Sequence, residues 1–205
     1  SVLGNPRMRF SVLVYYAVPG IFTGVNLLNI FFLQQVLGWG ASETGMLMML
    51  YAGGSFCAMT LCGRLFNRVG AARLFLLGLC CHAAGIAMLA LVSAQLSLPL
   101  LTLAYLLMGI GGGIGANTAQ TTAMIDFEGE QLARASTIWN LNRQMSFSVG
   151  AALFTLLFNL LQQHTTSTAA YHRAFLIAAV LGVLPLLQLM SLKTPSESLC
   201  DQKER

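Results

Sequence analysis

The chain has 205 residues, of which 56% are apolar and only 9% are charged. A soluble domain carries about 25% charged residues, so this composition excludes an ordinary soluble enzyme or binding module and predicts an integral membrane protein. The formal net charge of +4 does not indicate a nucleic-acid partner, because the basic residues stand singly or in small groups at the ends of apolar runs. In that position they are topology signals.

Six segments of the sequence are long and apolar enough to cross a membrane, which takes about 20 mainly apolar residues. We therefore predict an all-α membrane protein with one six-helix transmembrane domain over residues 1–195 and a cytoplasmic tail over residues 196–205. The predicted spans cover about residues 10–35, 43–66, 73–92, 98–125, 135–161 and 174–192.

The segment from Gly63 to Arg73 holds three arginines between the second and third apolar runs. A charged side chain at the bilayer centre costs about 2.5–3.5 kcal/mol, so this segment is predicted to be a loop in water. Basic loops stay in the cytoplasm. Placing this loop there puts nine of the eleven basic residues, and both termini, on the cytoplasmic side. Only Arg173 falls outside, and Arg143 lies within the fifth span.

Polar side chains recur at helical spacing through the first predicted span, which Pro19 and Gly20 interrupt. These side chains are Tyr16, Thr23, Asn26 and Gln34. A polar stripe in a bilayer faces either a neighbouring helix or a water-filled cavity. The sequence leaves both interpretations open, interhelical hydrogen bonding and the lining of a substrate path.

The fourth span contains two overlapping G-x-x-x-G pairs, Gly109 with Gly113 and Gly111 with Gly115. Such pairs predict close helix approach or a hinge. A formal match to the dinucleotide-binding fingerprint, ending at Ala116, is rejected because that fingerprint follows a strand and opens a helix in a βαβ unit.

Three of the seven acidic residues lie between the fourth and fifth spans, at Asp126, Glu128 and Glu130. We predict that they mark a solvated helix boundary and favour the dipole of the fifth helix. A coupling role for Asp126 is disfavoured because it lies at the membrane edge.

Two ionisable side chains lie at membrane depth, His82 and Arg143. For His82 we favour a neutral imidazole bonded to a backbone carbonyl over a proton relay. Arg143 lies about 13 Å along the helix from Arg134. With Asn140 and Gln144 on its face, we expect it to line a cavity or pair with another helix rather than extend to the headgroups. No acidic residue is predicted to be buried in a span.

The five cysteines show no C-x-x-C spacing. Cys57, Cys62, Cys80 and Cys81 lie in apolar runs and are predicted to be small core residues. A metal or redox site at the vicinal pair is disfavoured, because a metal needs several converging ligands. We therefore expect no cofactor and no metal.

The segment Gly63–Arg73 resembles the G-x-L-a-D-R-x-G-R-r signature of the major facilitator superfamily, in the form found in its C-terminal half. Residues 34–38 with 42–45 are similar to the first periplasmic loop of that half in the fourteen-helix drug:proton antiporter branch. Residues 135–151 are similar to that branch on the fifth helix. The loop motif residues are Gly63, Arg64, Asn67, Arg68, Gly70 and Arg73. Asn67 replaces the aspartate of the signature, which removes a charge that could latch this loop to a neighbouring helix.

The resemblance implies a six-helix C-terminal half built from two inverted three-helix repeats. The first, second, fourth and fifth helices would face a central cavity, with the third and sixth outside. It implies proton-coupled efflux of amphipathic small molecules from a bacterial inner membrane, with a missing N-terminal half or a second copy as partner. The candidate substrate or cavity residues are Tyr16, Thr23, Asn26, Asn140, Arg143 and Gln144.

Other classes fit less well. An aquaporin-type channel needs two N-P-A boxes, and residues 5–7 are the nearest approach. A rhomboid-type intramembrane protease needs G-x-S-G, which residues 53–56 fail at the last position, so we expect no enzyme. Two alternatives stay open, a truncated or split subunit without transport of its own and a homodimeric six-helix transporter or channel.

Overall fold

The computed structural model describes residues 2–92 and 98–187, which are helical apart from short connections and contain no β-strand. Five helices are long and apolar enough to cross a membrane, and the sixth has 17 residues. In chain order they are α1 (Pro6–Val36), α2 (Ala41–Val69), α3 (Ala71–Leu89), α4 (Leu98–Met124), α5 (Gly129–Gln162) and α6 (Ser167–Val183). The all-α class is confirmed, and the count of helices agrees with the prediction.

Helices α1, α2 and α5 extend beyond the predicted apolar spans at both ends, whereas α3 and α6 begin and end earlier than predicted, at Ala71–Leu89 and Ser167–Val183. The fifth begins at Gly129 rather than near residue 135, and the sixth at Ser167 rather than near residue 174. The 34 residues of α5 rise about 51 Å, whereas the hydrocarbon core is about 30 Å thick, so several turns must lie beyond it. Residues 188–192 of the sixth predicted span and the predicted tail over 196–205 lie outside the described residues.

The prediction of a loop from Gly63 to Arg73 is wrong. Helix α2 continues to Val69 and α3 begins at Ala71, so Gly70 alone separates them, with φ of 87°. Its missing side chain makes that conformation accessible. The two apolar runs are separate helices, as predicted, but the arginines between them exclude only burial in lipid and not helical backbone. They lie exposed on the last turns of α2 and the first turn of α3.

Helices α1 and α4 occupy the middle of the bundle. Helix α4 packs along both α2 and α3, while α1 packs on α5, α4 and α6, and α3 also contacts α6. One apolar cluster contains Phe10, Phe75 and Trp139, and another contains Phe32 and Tyr105. Helices α2 and α5 are the least buried of the long helices, so each presents a wide face outside the bundle.

The glycines of α4 lie where this helix meets its neighbours most closely. A Cβ on Gly113 would lie 2.6 Å from the carbonyl oxygen of Ser55, and one on Gly109 would meet the backbone of Tyr51, both on α2. On another face, a Cβ on Gly111 would lie 2.6 Å from the carbonyl oxygen of Gly78 on α3. Because no side chain intervenes, α4 approaches both neighbours at backbone distance.

The fourth of these glycines, Gly115, contacts a side chain of α1. A Cβ there would lie 3.5 Å from Val18, which is ordinary van der Waals contact. The two G-x-x-x-G pairs therefore differ. The pair of Gly109 and Gly113 packs on one helix, whereas Gly111 and Gly115 meet two different helices.

A second close crossing joins α1 to α5. A Cβ on Gly24 would lie 2.5 Å from the carbonyl oxygen of Gly150, and Gly150 in turn lies against Gly20. Near this crossing, α1 contains a π-helical turn at Tyr16–Gly20. Pro19 lies inside this turn and has no backbone N–H to donate, which favours such a local departure from α-helical bonding.

Candidate functional site

A cleft of about 290 Å³ opens between α1, α2, α4 and α5. Its lining is mainly aromatic and apolar with a few hydroxyl groups, which is typical of a small-molecule site. Helices α3 and α6 contribute no lining residue. The lining residues are Tyr15, Pro19, Phe22, Thr23, Tyr51, Ser55, Met59, Gly112, Ala116 and Phe147.

A pair of stacked rings forms one wall of this cleft. The rings of Phe22 and Tyr51 are nearly parallel, at 11°, with their centroids 3.8 Å apart. Gly112 makes room for the phenol, since a Cβ there would lie 2.6 Å from the Tyr51 hydroxyl oxygen. Beside them, the Thr23 hydroxyl donates to the Pro19 carbonyl at 2.8 Å. The wall therefore offers a flat aromatic surface, and one of its hydroxyl protons is already bound within α1.

Aromatic contacts between α1 and α5 support another part of the lining, where Tyr15 and Phe147 line the cleft and Trp139 does not. Tyr15 meets Trp139 edge to face, with centroids 4.9 Å apart, and its ring lies 6.4 Å from that of Phe147. Edge-to-face pairs of this kind add about 0.5–1.5 kcal/mol beyond the area that they bury. Tyr15 and Trp139 are buried, so this part of the lining is held more rigidly than an exposed pair would be.

Arg143, Asn140 and Gln144, three of the predicted cavity residues, do not line the cleft. Arg143 lies on α5 one helical turn before Phe147, which does line it. The arginine is half-buried, and its Nη2 donates to Asn140 Oδ1 at 2.8 Å. Gln144 is exposed and does not bond to the arginine. Within residues 2–92 and 98–187, no acidic side chain pairs with Arg143. A cation therefore lies one helical turn from a lining residue of the cleft, and its charge is not neutralised by this part of the chain.

The predicted polar stripe of α1 is divided among three environments. Tyr16 lines a different groove between α1, α5 and α6, Thr23 lines the cleft, and Asn26 accepts a hydrogen bond from the Tyr105 hydroxyl at 2.9 Å. A π-helical turn adds a residue to the helical register, so the turn at Tyr16–Gly20 rotates Tyr16 relative to the later residues. Counting at 3.6 residues per turn places Tyr16, Thr23 and Asn26 on one face only if the helix is regular.

A polar contact between α1 and α4 was missed from the sequence. Asn29 is buried, and its Nδ2 donates to the Tyr105 hydroxyl oxygen at 2.8 Å, which in turn donates to Asn26. The sequence shows Asn29 as an amide in an apolar run, but it does not show the hydrogen-bond partner, because Tyr105 lies 76 residues later in the chain. Gln34, the last residue of the predicted stripe, is exposed.

His82 lies outside the cleft, at the crossing of α3 with α4. It is fully buried, and its ring centroid is 6.4 Å from that of Phe22. Neither ring nitrogen has a hydrogen-bond partner among the described residues, so the expected bond to a backbone carbonyl is not found. The nearby glycines Gly78 and Gly111 bring the two backbones together and leave the imidazole between apolar surfaces.

An ion pair at one end of the helix bundle was also missed from the sequence. Arg7 Nη1 and Asp126 Oδ1 are 2.6 Å apart, and Asn5 Nδ2 donates to Asp126 Oδ2 at 3.0 Å. The pair joins the first turn of α1 to the second residue after α4. Asp126 is therefore more than a solvated boundary residue. By contrast, Asn67 of the loop motif is exposed, and Arg68 forms no ion pair within the described parts of the chain.

The cysteines do not all belong to the core. Cys62 is buried, and its Sγ lies 3.3 Å from the Thr118 hydroxyl oxygen. Cys57 and Cys80 are exposed on the bundle surface and Cys81 is intermediate, so the prediction of core positions is wrong for the first two. The reason is that an apolar run in a membrane helix has a lipid-facing side as well as a packed side.

Comparison with known proteins identifies the family. The sequence profile of the Major Facilitator Superfamily matches residues 12–202 of this chain. Three similar proteins are the multidrug resistance protein B homolog and the multidrug resistance protein Stp of Mycobacterium tuberculosis, and the uncharacterized transporter YebQ of Escherichia coli. The first is 32% identical over 140 residues, which are 67% of this chain and 26% of that protein.

The other two relatives match to similar extents. Stp is 31% identical over 68% of this chain and 25% of its own length. YebQ is 31% identical over 75% of this chain and 33% of its own length. The matched part therefore spans a quarter to a third of each relative. Because the family match covers nearly all of the chain, this integral membrane protein belongs to the major facilitator superfamily of transporters.

Proposed function

We propose that this chain is the C-terminal six-helix half of a proton-coupled multidrug exporter, and that the cleft between α1, α2, α4 and α5 is its share of the substrate path. The names of two relatives and the partial coverage of their lengths support a drug-exporting half. The observation that carries the proposal is the cleft itself, because its lining comes from those four helices alone.

The packing supports two inverted three-helix repeats, α1–α3 and α4–α6. Helix α4 packs on the second and third helices of the first repeat, and α1 packs on the second and third helices of the second repeat. The third helices of both repeats, α3 and α6, also contact each other. Each repeat therefore places its first helix against the second and third helices of the other repeat, which is the arrangement that a two-fold axis between the repeats would produce. Inverted repeats of this kind occur in the halves of such transporters.

The exposed faces of α2 and α5 support the need for a partner. Both helices are less buried than α1, α3 and α4, and both contribute to the cleft. Alternating access is largely the rocking of one bundle against another around a central site. We propose that an N-terminal half covers the parts of these faces that border the cleft and closes it, in a bacterial inner membrane with both termini of this chain in the cytoplasm.

We assign Arg143 a role in this cavity. The free-energy cost of a charged side chain at membrane depth is explained if Arg143 pairs with an acidic group of the N-terminal half, holds water in the cavity, or binds an anionic group. The coupling proton is then carried by a carboxylate outside the described residues. Arg143→Ala in the full-length transporter should leave abundance near normal and strongly reduce efflux.

Arg143→Lys separates charge from geometry. Lysine keeps the charge but lacks the planar fork, so partial activity indicates a role of charge and lost activity indicates bidentate pairing. Parental efflux of every tested compound by the alanine variant, at parental abundance, would show that Arg143 is a surface residue and would contradict its place in the cavity.

The test of the half-transporter proposal compares the chain alone with the chain plus its N-terminal half. Ethidium efflux is measured in a drug-sensitive bacterium, with the abundance of the chain in the membrane as the control. We expect efflux only when both halves are present. Robust proton-dependent efflux by the purified chain alone in proteoliposomes would refute the need for a second half and would indicate a homodimer.

A further inference from the structure

A second groove, of about 430 Å³, lies between α1, α5 and α6 and shares no lining residue with the cleft. Aliphatic and aromatic side chains form its walls, and the Tyr16 hydroxyl is the one polar side-chain group that lines it. Leu153 of α5 and Leu184, the residue that follows α6, remain 57% and 45% exposed there. In a membrane-spanning protein, a groove with such open apolar walls faces hydrocarbon.

The length of the groove matches one leaflet of a bilayer. On α1 it extends from Leu13 to Ile21, which is a rise of about 12 Å. The hydrocarbon of one leaflet is half of about 30 Å. The α1 wall therefore runs along most of one acyl chain, and the small residues Ala17 and Gly150 leave room at its floor.

A cationic side chain, that of Arg9, lies near one end of this groove on α1. Arg9 is exposed and lies one helical turn before Leu13 on the same face of α1. Its Nε donates to the Leu3 carbonyl at 2.7 Å, and no acidic side chain within the described ranges pairs with it. Arg7, in contrast, is bound to Asp126. Basic pockets between membrane helices attract anionic lipid headgroups.

We propose that this groove binds a phospholipid with an anionic headgroup. Its phosphate pairs with Arg9, one acyl chain lies along α1 between α5 and α6, and the Tyr16 hydroxyl donates to an ester oxygen. The assignment explains why Tyr16, a polar residue of α1 that does not line the cleft, lies in an otherwise apolar groove. It requires only that the chain spans a membrane, so it does not depend on transport or on the identity of any substrate.

The test is native mass spectrometry of the purified chain with dioleoyl phosphatidylglycerol or dioleoyl phosphatidylcholine. We expect one tightly bound phosphatidylglycerol and about a fivefold preference over phosphatidylcholine, the factor that corresponds to about 1 kcal/mol per basic residue near the surface. Arg9→Gln should abolish this preference. Arg134→Gln is the matched control, because Arg134 is 72% exposed and lies away from the groove, and it should keep the preference.

Filling the groove tests the acyl-chain site separately. Leu153→Trp should lower retention of both lipids at least threefold, whereas Leu141→Trp on the same helix should not, because Leu141 is 62% exposed and does not line the groove. Leu187→Trp provides a second variant at the groove if the first fails to fold by circular dichroism. Equal retention of the two lipids by the parent chain, or an Arg9→Gln variant that behaves like Arg134→Gln, would overturn the proposal.

Discussion

The contact of α4 with α2 allows a sharp stability prediction for Gly113→Ala. The added Cβ would lie 2.6 Å from the carbonyl oxygen and 2.9 Å from the Cα of Ser55. Non-bonded carbon atoms rest at about 3.5–4.0 Å, so the two helices must separate by about 1 Å. Both contacted atoms belong to backbone and cannot rotate away. Overpacking of this kind typically costs about 1–3 kcal/mol.

Gly53→Ala on α2 is the matched control. A Cβ on Gly53 has no atom within 4 Å, and alanine is better than glycine in a helix interior by about 0.8–1.0 kcal/mol. We therefore expect Gly53→Ala to be neutral or stabilising, and the two variants to differ by about 1–4 kcal/mol in the free energy of unfolding. The free energy of unfolding is measured by circular dichroism during titration of mixed micelles with dodecyl sulfate. Equal shifts for both variants would refute the claim that α2 and α4 meet at Gly113.

Two further predictions concern buried hydrogen bonds and topology. Tyr105→Phe removes the hydroxyl that joins the two asparagines of α1, and should lower the free energy of unfolding by about 0.6–1.7 kcal/mol in the same titration; an unchanged value would show that this contact does not stabilise the bundle. Reporter fusions within residues 163–166, between α5 and α6, and at Lys193 should report opposite sides of the membrane, because α6 lies between them. The same side for both would contradict the six-helix topology.

The sequence predicted the helices well because burial in lipid requires long apolar runs, and such runs are visible without any tertiary information. Their ends were predicted less well. The arginines before Gly70 mark where lipid burial stops, whereas the helix stops only where its backbone is interrupted. Charge and helix termination are separate physical effects, and the prediction of a loop treated them as one.

The contents of the candidate site were harder to predict. Thr23 and Arg143 were selected because polar and charged residues stand out in apolar spans, but of the two only Thr23 lines the cleft. The stacked pair of Phe22 and Tyr51 gave no such signal, since aromatic residues are ordinary in membrane helices. The place of Tyr16 depended on a π-helical turn that shifts the register, and the partners of Asn29 and Asp126 come from distant parts of the chain.

The central claim is that the cleft between α1, α2, α4 and α5 lies on the substrate path. Met59 and Phe56 lie one helical turn apart on α2, but Met59 lines the cleft whereas Phe56 does not and is 73% exposed. The most direct test is the rate of ethidium efflux by the full-length transporter carrying Met59→Trp or Phe56→Trp, divided by its abundance in the membrane. We predict that Met59→Trp blocks efflux at near-normal abundance while Phe56→Trp keeps the parental rate. Parental efflux by both variants would contradict the assignment of this cleft.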